Sequence, residues 1–372
     1  MHLVLLHGYL LQGTGSNIYV ANIAKAWQNQ GHGVSVVCKD RKAGALTFVQ
    51  EFIGPHDNLP DDPPKPGTIR VIVPEINNLL PVYVFDRYNG FDVKIIPEMT
   101  PEEIHMHIEM TASTLRNVAC QGADRILANH AIFGPVIAKR ALQNLDVPFD
   151  VKIHGSAVEY TLVPNPHLMN YAFEGLNAAK RVVVGTKYVR DRVLEVFGNG
   201  QPTGKLANQL TIVPPGMDPA LFKLSVDPQE SQQQFMEKVR QRLQQNDKGR
   251  HYRKMPEFKA RSGSNLHSTL VKLGETYDQR ATDMDLLEKW QPFKDDEPLI
   301  MYFGKFLAAK GVGELLVAIP KILSLIPISA FVSANRKSRS LKDLFPQGVA
   351  YTARRLAMRY PKRVRTITGG SI

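Results

Sequence analysis

A chain of 372 residues with 43% hydrophobic and 22% charged side chains is long enough for two domains, and it excludes a fibrous repeat or a wholly disordered polymer. Only two cysteines, Cys38 and Cys120, are present, too few for a disulfide framework, which points to a reducing, cytoplasmic setting. The net charge of +11 is concentrated at one end, since residues 335–372 hold ten Lys or Arg against the single acid Asp343. The rest of the chain is nearly neutral, so the basicity is no argument for a specific nucleic-acid partner. The apolar start His2-Leu3-Val4-Leu5-Leu6 lacks a positive flank and is too short for a secretion signal or a membrane span.

Short β-branched runs alternate with amphipathic stretches over the first 215 residues. Strands are predicted at 2–7, 33–38, 69–74, 82–86, 125–130, 150–154, 181–185 and 210–213, and helices at 16–30, 101–121, 132–144, 167–178 and 187–197. That alternation implies βαβ units and a mostly parallel sheet. Thr100-Pro101-Glu102-Glu103 predicts a capping box at a helix start, and Gly31 and Gly122 are suited to end the helices before them. The segment 54–67, rich in Pro, Gly and Asp, is predicted to be an exposed loop. After Pro214-Pro215-Gly216 the text becomes polar and glutamine-rich. A strand at 299–303, a helix at 311–325 and a strand at 328–333 follow.

Three stretches carry candidate chemistry. Gly13-Thr14-Gly15-Ser16-Asn17 lies between the first strand and a helix, where backbone N–H groups at a helix start favour a phosphate. It is neither a complete dinucleotide fingerprint nor a P-loop, and alone it reads equally well as a flexible loop. Gly304-Lys305 and Lys310-Gly311 place two ammonium groups around a strand-to-helix turn, where they can converge on a diphosphate or stay solvated. His130 and His154-Gly155-Ser156 each follow a strand, and ligands of parallel sheets bind outside the carboxyl ends of strands. His105 and His107, two apart on a helix, point to different faces and do not suggest a shared metal. Asp283-Met284-Asp285, an Asp-x-Asp lookalike, lies in the polar stretch and carries little weight.

Read together, these pieces resemble the retaining GT-B glycosyltransferases of family 4. Gly13 through Ala24, running into Gly31-His32-Gly33-Val34, resembles that family's glycine loop and first helix. Asn129-His130 and Ile153-His154-Gly155-Ser156 resemble its two strand-end histidine motifs. Val213-Pro214-Pro215-Gly216-Met217-Asp218 through Phe222 resembles the crossing into its second domain, and Gly304-Lys305 through Lys310-Gly311 its donor clamp. The resemblance implies an α/β fold of GT-B type, with a Rossmann-like N-terminal domain and a partial second one. The implied activity is transfer of a sugar from a nucleotide-sugar to an acceptor hydroxyl with retention. Implied roles follow the motifs. His154, Lys305 and Lys310 act on the reacting centre and the leaving diphosphate, while Gly13, Thr14, Gly15, His130, Gly155, Ser156 and Gly304 bind the donor. No metal or other cofactor is implied, because cationic side chains neutralise the diphosphate. The acceptor, a sugar, lipid or small molecule, is assigned to N-domain loops including 54–68 and 81–98. Two departures stand out. Lys305 replaces the family's Arg, giving up the bidentate fork, and no Glu-x7-Glu pair follows, since Glu314 is the last glutamate.

The expected organisation is an N-terminal domain over 1–213, a crossover at 214–224, a polar helical insertion at 225–297, the start of a donor-binding domain at 298–334 and a disordered basic tail at 335–372. Without the glutamate pair the chain is expected to be an impaired or inactive transferase, ending as a frameshifted or truncated sequence would. The competing expectation is a non-catalytic GT-B-like binding protein whose basic tail contacts nucleic acid or an anionic surface. For the enzyme itself no specific nucleic acid is expected, and peripheral contact with a membrane surface is left open.

Overall fold

The structure, a computed structural model, describes residues 1–84, 88, 90–198, 203–218, 234, 237–238, 241, 299–303, 311–325, 330–334 and 366–369. The chain divides into two compact units, Met1–Phe222 and Lys223–Ile372.

The first unit is built on β1 (His2–Leu6), α1 (Gly15–Asn29), β2 (Gly33–Val37), β3 (Glu51–Ile53), β4 (Ile69–Ile72), β5 (Leu79–Val82) and β6 (Asp92–Ile95). It continues through α2 (Pro101–Cys120), β7 (Arg125–Asn129), α3 (Gly134–Ala141), β8 (Phe149–Lys152), α4 (Met169–Leu176), β9 (Arg181–Val184), α5 (Lys187–Gly198), α6 (Thr203–Gln209) and β10 (Leu210–Ile212). Eight strands form one parallel sheet in the order β10-β9-β8-β7-β1-β2-β4-β3.

All five residues of β1 are buried because both faces of the sheet are covered, the condition under which a strand reads as an unbroken apolar run. Alternate side chains serve the two layers. Leu5 packs with Val20, Ala21 and Ala24 of α1, whereas Val4 and Leu6 pack with Ile104, Ile108 and Leu115 of α2. Two-sided burial of this kind is the α/β layering that the alternating pattern implies.

Most predicted elements fall within two or three residues of the observed ones. The strand predicted at 82–86 is the exception. The observed strand is β5 at Leu79–Val82, which among the described residues pairs only with β6 in a separate two-stranded sheet. Pro81 is tolerated there because a strand with a single partner can leave one edge undonated. Val84, inside the predicted strand, is 55% exposed. The capping box forms as read. Glu103 N–H donates to Thr100 Oγ1 at 3.2 Å, and Thr100 N–H donates to Glu103 Oε2 at 2.8 Å. Left-handed Gly31 and Gly122 follow α1 and α2. Removing the cap with Thr100→Ala is expected to lower the melting temperature by about 3 °C. A thermal melt followed by circular dichroism checks this, and an unchanged midpoint would show that the packed face of α2 makes the cap redundant.

In the second unit β11 (Leu299–Phe303), α7 (Val312–Leu325), β12 (Ala330–Ala334) and β13 (Thr366–Gly369) are described, with the three strands forming a parallel sheet in that order. Of residues 335–372 the structure describes only Thr366–Gly369, a strand paired with β12. Of the segment 225–297, only Gln234, Glu237, Lys238 and Gln241 are described, each helical.

Candidate functional site

The strand order reverses direction at β1. From it the chain builds β2, β4 and β3 to one side, and β7, β8, β9 and β10 to the other. Such a reversal opens a crevice outside the carboxyl ends of the two strands that flank it. Register fixes what stands there. Leu6 aligns with Ala128 of β7, and Asn129 aligns with Lys152 of β8. The residues that follow, His7, His130 and His154, therefore rise at one edge. The rings of His7 and His130 lie 5.7 Å apart, and those of His130 and His154 lie 4.8 Å apart.

Hydrogen bonds set the state of two of these rings. Asn129 Nδ2 donates to the Leu6 carbonyl at 3.1 Å, so its Oδ1 is the acceptor for His154 Nε2–H at 2.9 Å. This leaves the Nδ1 lone pair of His154 to accept from a bound hydroxyl. Asn17 Nδ2 donates to the Gln12 carbonyl at 2.5 Å, and its Oδ1 accepts from His7 Nε2–H at 3.0 Å. That second relay ties the end of β1 to the first turn of α1 and holds the intervening glycine loop. His130 differs. It sits at φ 72°, is 2% exposed, and neither ring nitrogen has a hydrogen-bond partner among the described residues. Backbone strain of this kind concentrates at working sites.

Burial is the main cause that holds all three imidazoles neutral. His7 is lowered from 6.5 to about 4, with its bond to Asn17 opposing the shift. His154 is lowered to about 3 by burial, then by His7 and Lys152. His130 is held well below the usual histidine range by burial and by the two neighbouring histidines. The cluster can therefore exchange hydrogen bonds with sugar hydroxyls, but it offers no positive charge.

The glycine loop stands beside it. Gly13, in the loop before α1, and Gly15, the first residue of α1, are exposed, and a side chain built on either meets no atom within 4 Å. Thr14 is the N-cap residue of α1 without a side-chain capping bond, so its side chain satisfies none of the first-turn N–H groups. Gly155, at φ 77°, turns the chain directly after His154 in a conformation that favours glycine. Ser156 N–H donates to the His154 carbonyl at 2.9 Å, and a π-helical turn, Val158–Leu162, follows. Gly134 is required for another reason. A Cβ there would stand 2.3 Å from the Asn129 carbonyl oxygen, so only glycine lets α3 start beneath the site.

The residues inferred from sequence thus divide into two groups. Gly13, Thr14, Gly15, His130, His154, Gly155 and Ser156 belong to one edge of one sheet. Gly304, Lys305 and Lys310 lie outside the described residues. Sequence reasoning missed His7, and placed Asn17 in the glycine stretch without its bond to that ring, although His7-Gly8 repeats after β1 the His-Gly pair found at His154-Gly155. Lys152 was missed as well. Its Nζ donates to the Val213 carbonyl at 3.0 Å and stands 5.4 Å over the Tyr19 ring, which in turn meets the His154 ring at 5.1 Å.

Against known families, residues 13–221 match Glycosyltransferase Family 4, a stretch of more than half the chain. The chain belongs to that family. It is accordingly a glycosyltransferase, and its α/β build, with a parallel Rossmann-like sheet in the first unit, is of the GT-B class. The match takes in the glycine loop, both strand-end histidine motifs and most of the proline-glycine crossing, and stops before Gly304. No curated protein matches the sequence. Among solved structures, the catalytic domain of starch synthase IV from Arabidopsis thaliana has a TM-score of 0.47 at 12% identity, covering 100% of this chain and 74% of that one. An α,α-trehalose-phosphate synthase (UDP-forming) from Burkholderia vietnamiensis has a TM-score of 0.46 at 12% identity, covering 98% and 72%. The UDP-GlcNAc 2-epimerase of Neisseria meningitidis has a TM-score of 0.44 at 10% identity, covering 100% and 73%. Among the described residues no helix is long and apolar enough to cross a membrane, and no group of three or more His, Cys, Asp or Glu is arranged to hold a metal.

Proposed function

We propose that this family 4 glycosyltransferase transfers a sugar from a nucleotide-sugar to an acceptor hydroxyl with retention of configuration. The observation that carries the reading is the meeting of the glycine loop with three neutral histidines at the strand-order reversal, of which His130 and His154 lie inside the segment that matches the family. The α1 start and its exposed glycines receive the donor diphosphate. His154, its tautomer fixed through Asn129, accepts a hydrogen bond from the donor sugar next to the anomeric carbon. Lys305 and Lys310 neutralise the departing diphosphate, which leaves no role for a metal. Retention is carried by the resemblance.

The test is substitution at the clamp. Lys310→Ala is expected to lower transfer about tenfold relative to the unmodified chain, the cost of one charge-assisted contact. Product formation from radiolabelled nucleotide-sugar measures it. An undiminished rate in Lys310→Ala removes the clamp from the proposal.

A further inference from the structure

Beside the histidine cluster lies a small cavity of about 20 Å³, room for one water molecule or one oxygen of a larger ion. His7, Gly8 and Asn129 of the site contribute to its lining, together with Lys39, His107 and Thr111, which the transfer chemistry does not use. Lys39 follows β2 and is only 1% exposed, and its Nζ donates to Thr111 Oγ1 at 3.0 Å. Among the described residues no carboxylate forms an ion pair with it. A buried ammonium with one neutral acceptor is costly unless a counter-charge arrives. Next to it His107, 5% exposed, has an Nδ1 without a hydrogen-bond partner among the described residues. Burial lowers the Lys39 amine to about 7, opposed by the Cys38 thiol and Glu75, so an arriving anion would gain by recharging it.

We infer that Lys39, Thr111 and His107 form the seat for an anionic oxygen carried by the acceptor, so that the acceptor is a phosphorylated molecule. This rests on the transferase reading above and narrows its acceptor. One oxygen enters the cavity and takes hydrogen bonds from the Lys39 ammonium and from His107, in the tautomer that carries its proton on Nδ1. The rest of the molecule stays outside, beside Gly8, which is half-exposed and on which a built Cβ meets no atom within 4 Å. A hydroxyl held there lies along the same strand edge as His154. A soluble sugar phosphate and a phospholipid headgroup share this chemistry.

The experiment uses the full chain and reads phosphate and donor binding separately. Inorganic phosphate is titrated by calorimetry, glucose 6-phosphate in a second arm, and phosphatidylcholine vesicles containing phosphatidylinositol in a third. UDP, ADP and GDP are titrated in parallel. Saturable phosphate binding is expected, weakened about tenfold or more in Lys39→Met, with nucleotide affinity unchanged. Whichever of the second and third arms shows the same Lys39 dependence identifies the source of the phosphate. In unmodified protein the Lys39 13Cε resonance is expected to move on adding phosphate, a readout that survives if Lys39→Met fails to fold. Absence of saturable phosphate binding, or a Lys39→Met protein that binds phosphate as well as the parent, overturns the inference while leaving the donor reading standing. Lys39-dependent phosphate binding in a chain that binds no nucleotide supports this seat and sinks the donor reading instead.

Discussion

Replacing His154 with alanine is expected to lower sugar transfer about a hundredfold while leaving nucleoside diphosphate affinity within a factor of about two. The split follows from the state of the ring. Asn129, itself held by the Leu6 carbonyl, takes the Nε2 proton of His154, and burial keeps the imidazole neutral. A neutral ring contributes little to holding a diphosphate. What it contributes is a fixed acceptor for a sugar hydroxyl, and orientation of the reacting carbon supplies much of a transferase's rate. Steady-state transfer measured beside calorimetric affinity for the diphosphate separates the two effects. A His154→Ala chain that transfers at the parental rate places the reacting carbon elsewhere, and one that loses diphosphate affinity instead makes His154 a donor anchor.

The same neutral histidines make the first unit acid-labile. Unfolded, each titrates near the ordinary histidine value of about 6.5. Folded, His7 is lowered to about 4 and His154 to about 3, in both cases mainly by burial. The unfolded chain therefore binds protons that the folded chain refuses. The stability these groups contribute is fully present above the unfolded value and is lost as the pH falls toward the folded ones. Between pH 7 and pH 5 each of the two costs about 2 kcal/mol, and together they are expected to lower the melting temperature by roughly 10 °C. His130 and His107, also held well below their usual range by burial, push the same way. Melting curves at pH 7 and pH 5 measure it. Coincident curves would mean that water reaches these rings and that the site is wetter than the packing implies.

The parallel sheet was legible because β1, β2 and β8 are buried on both faces, and β7 and β9 on one, so that they read as compact runs bounded by polar loops. The start of α2 was legible to the residue, since a capping box is written in side chains only three positions apart. β3 and β6 were not. Each is four residues or fewer and none of their residues is fully buried, so neither leaves a periodic signal. β5 was displaced because Pro81 argues against a strand wherever both edges must pair, and here only one does. At the site, His130 and His154 could be found because each closes a strand at a polar boundary. His7 closes β1 in the same way, but it merges with the apolar start of the chain. Lys39 carried no signal at all. A lysine after a strand is ordinarily solvated, and only the packing of α2 across β2 brings Thr111 and His107 around it.

Donor binding is where the transferase reading is most exposed. Calorimetric titration of the full chain with UDP-, ADP- and GDP-linked sugars, each at low and raised salt, tests it most directly. Saturable binding that weakens as salt screens the ammonium groups is the expected result. Heats that stay at the level of dilution for every nucleotide-sugar at low salt would contradict it.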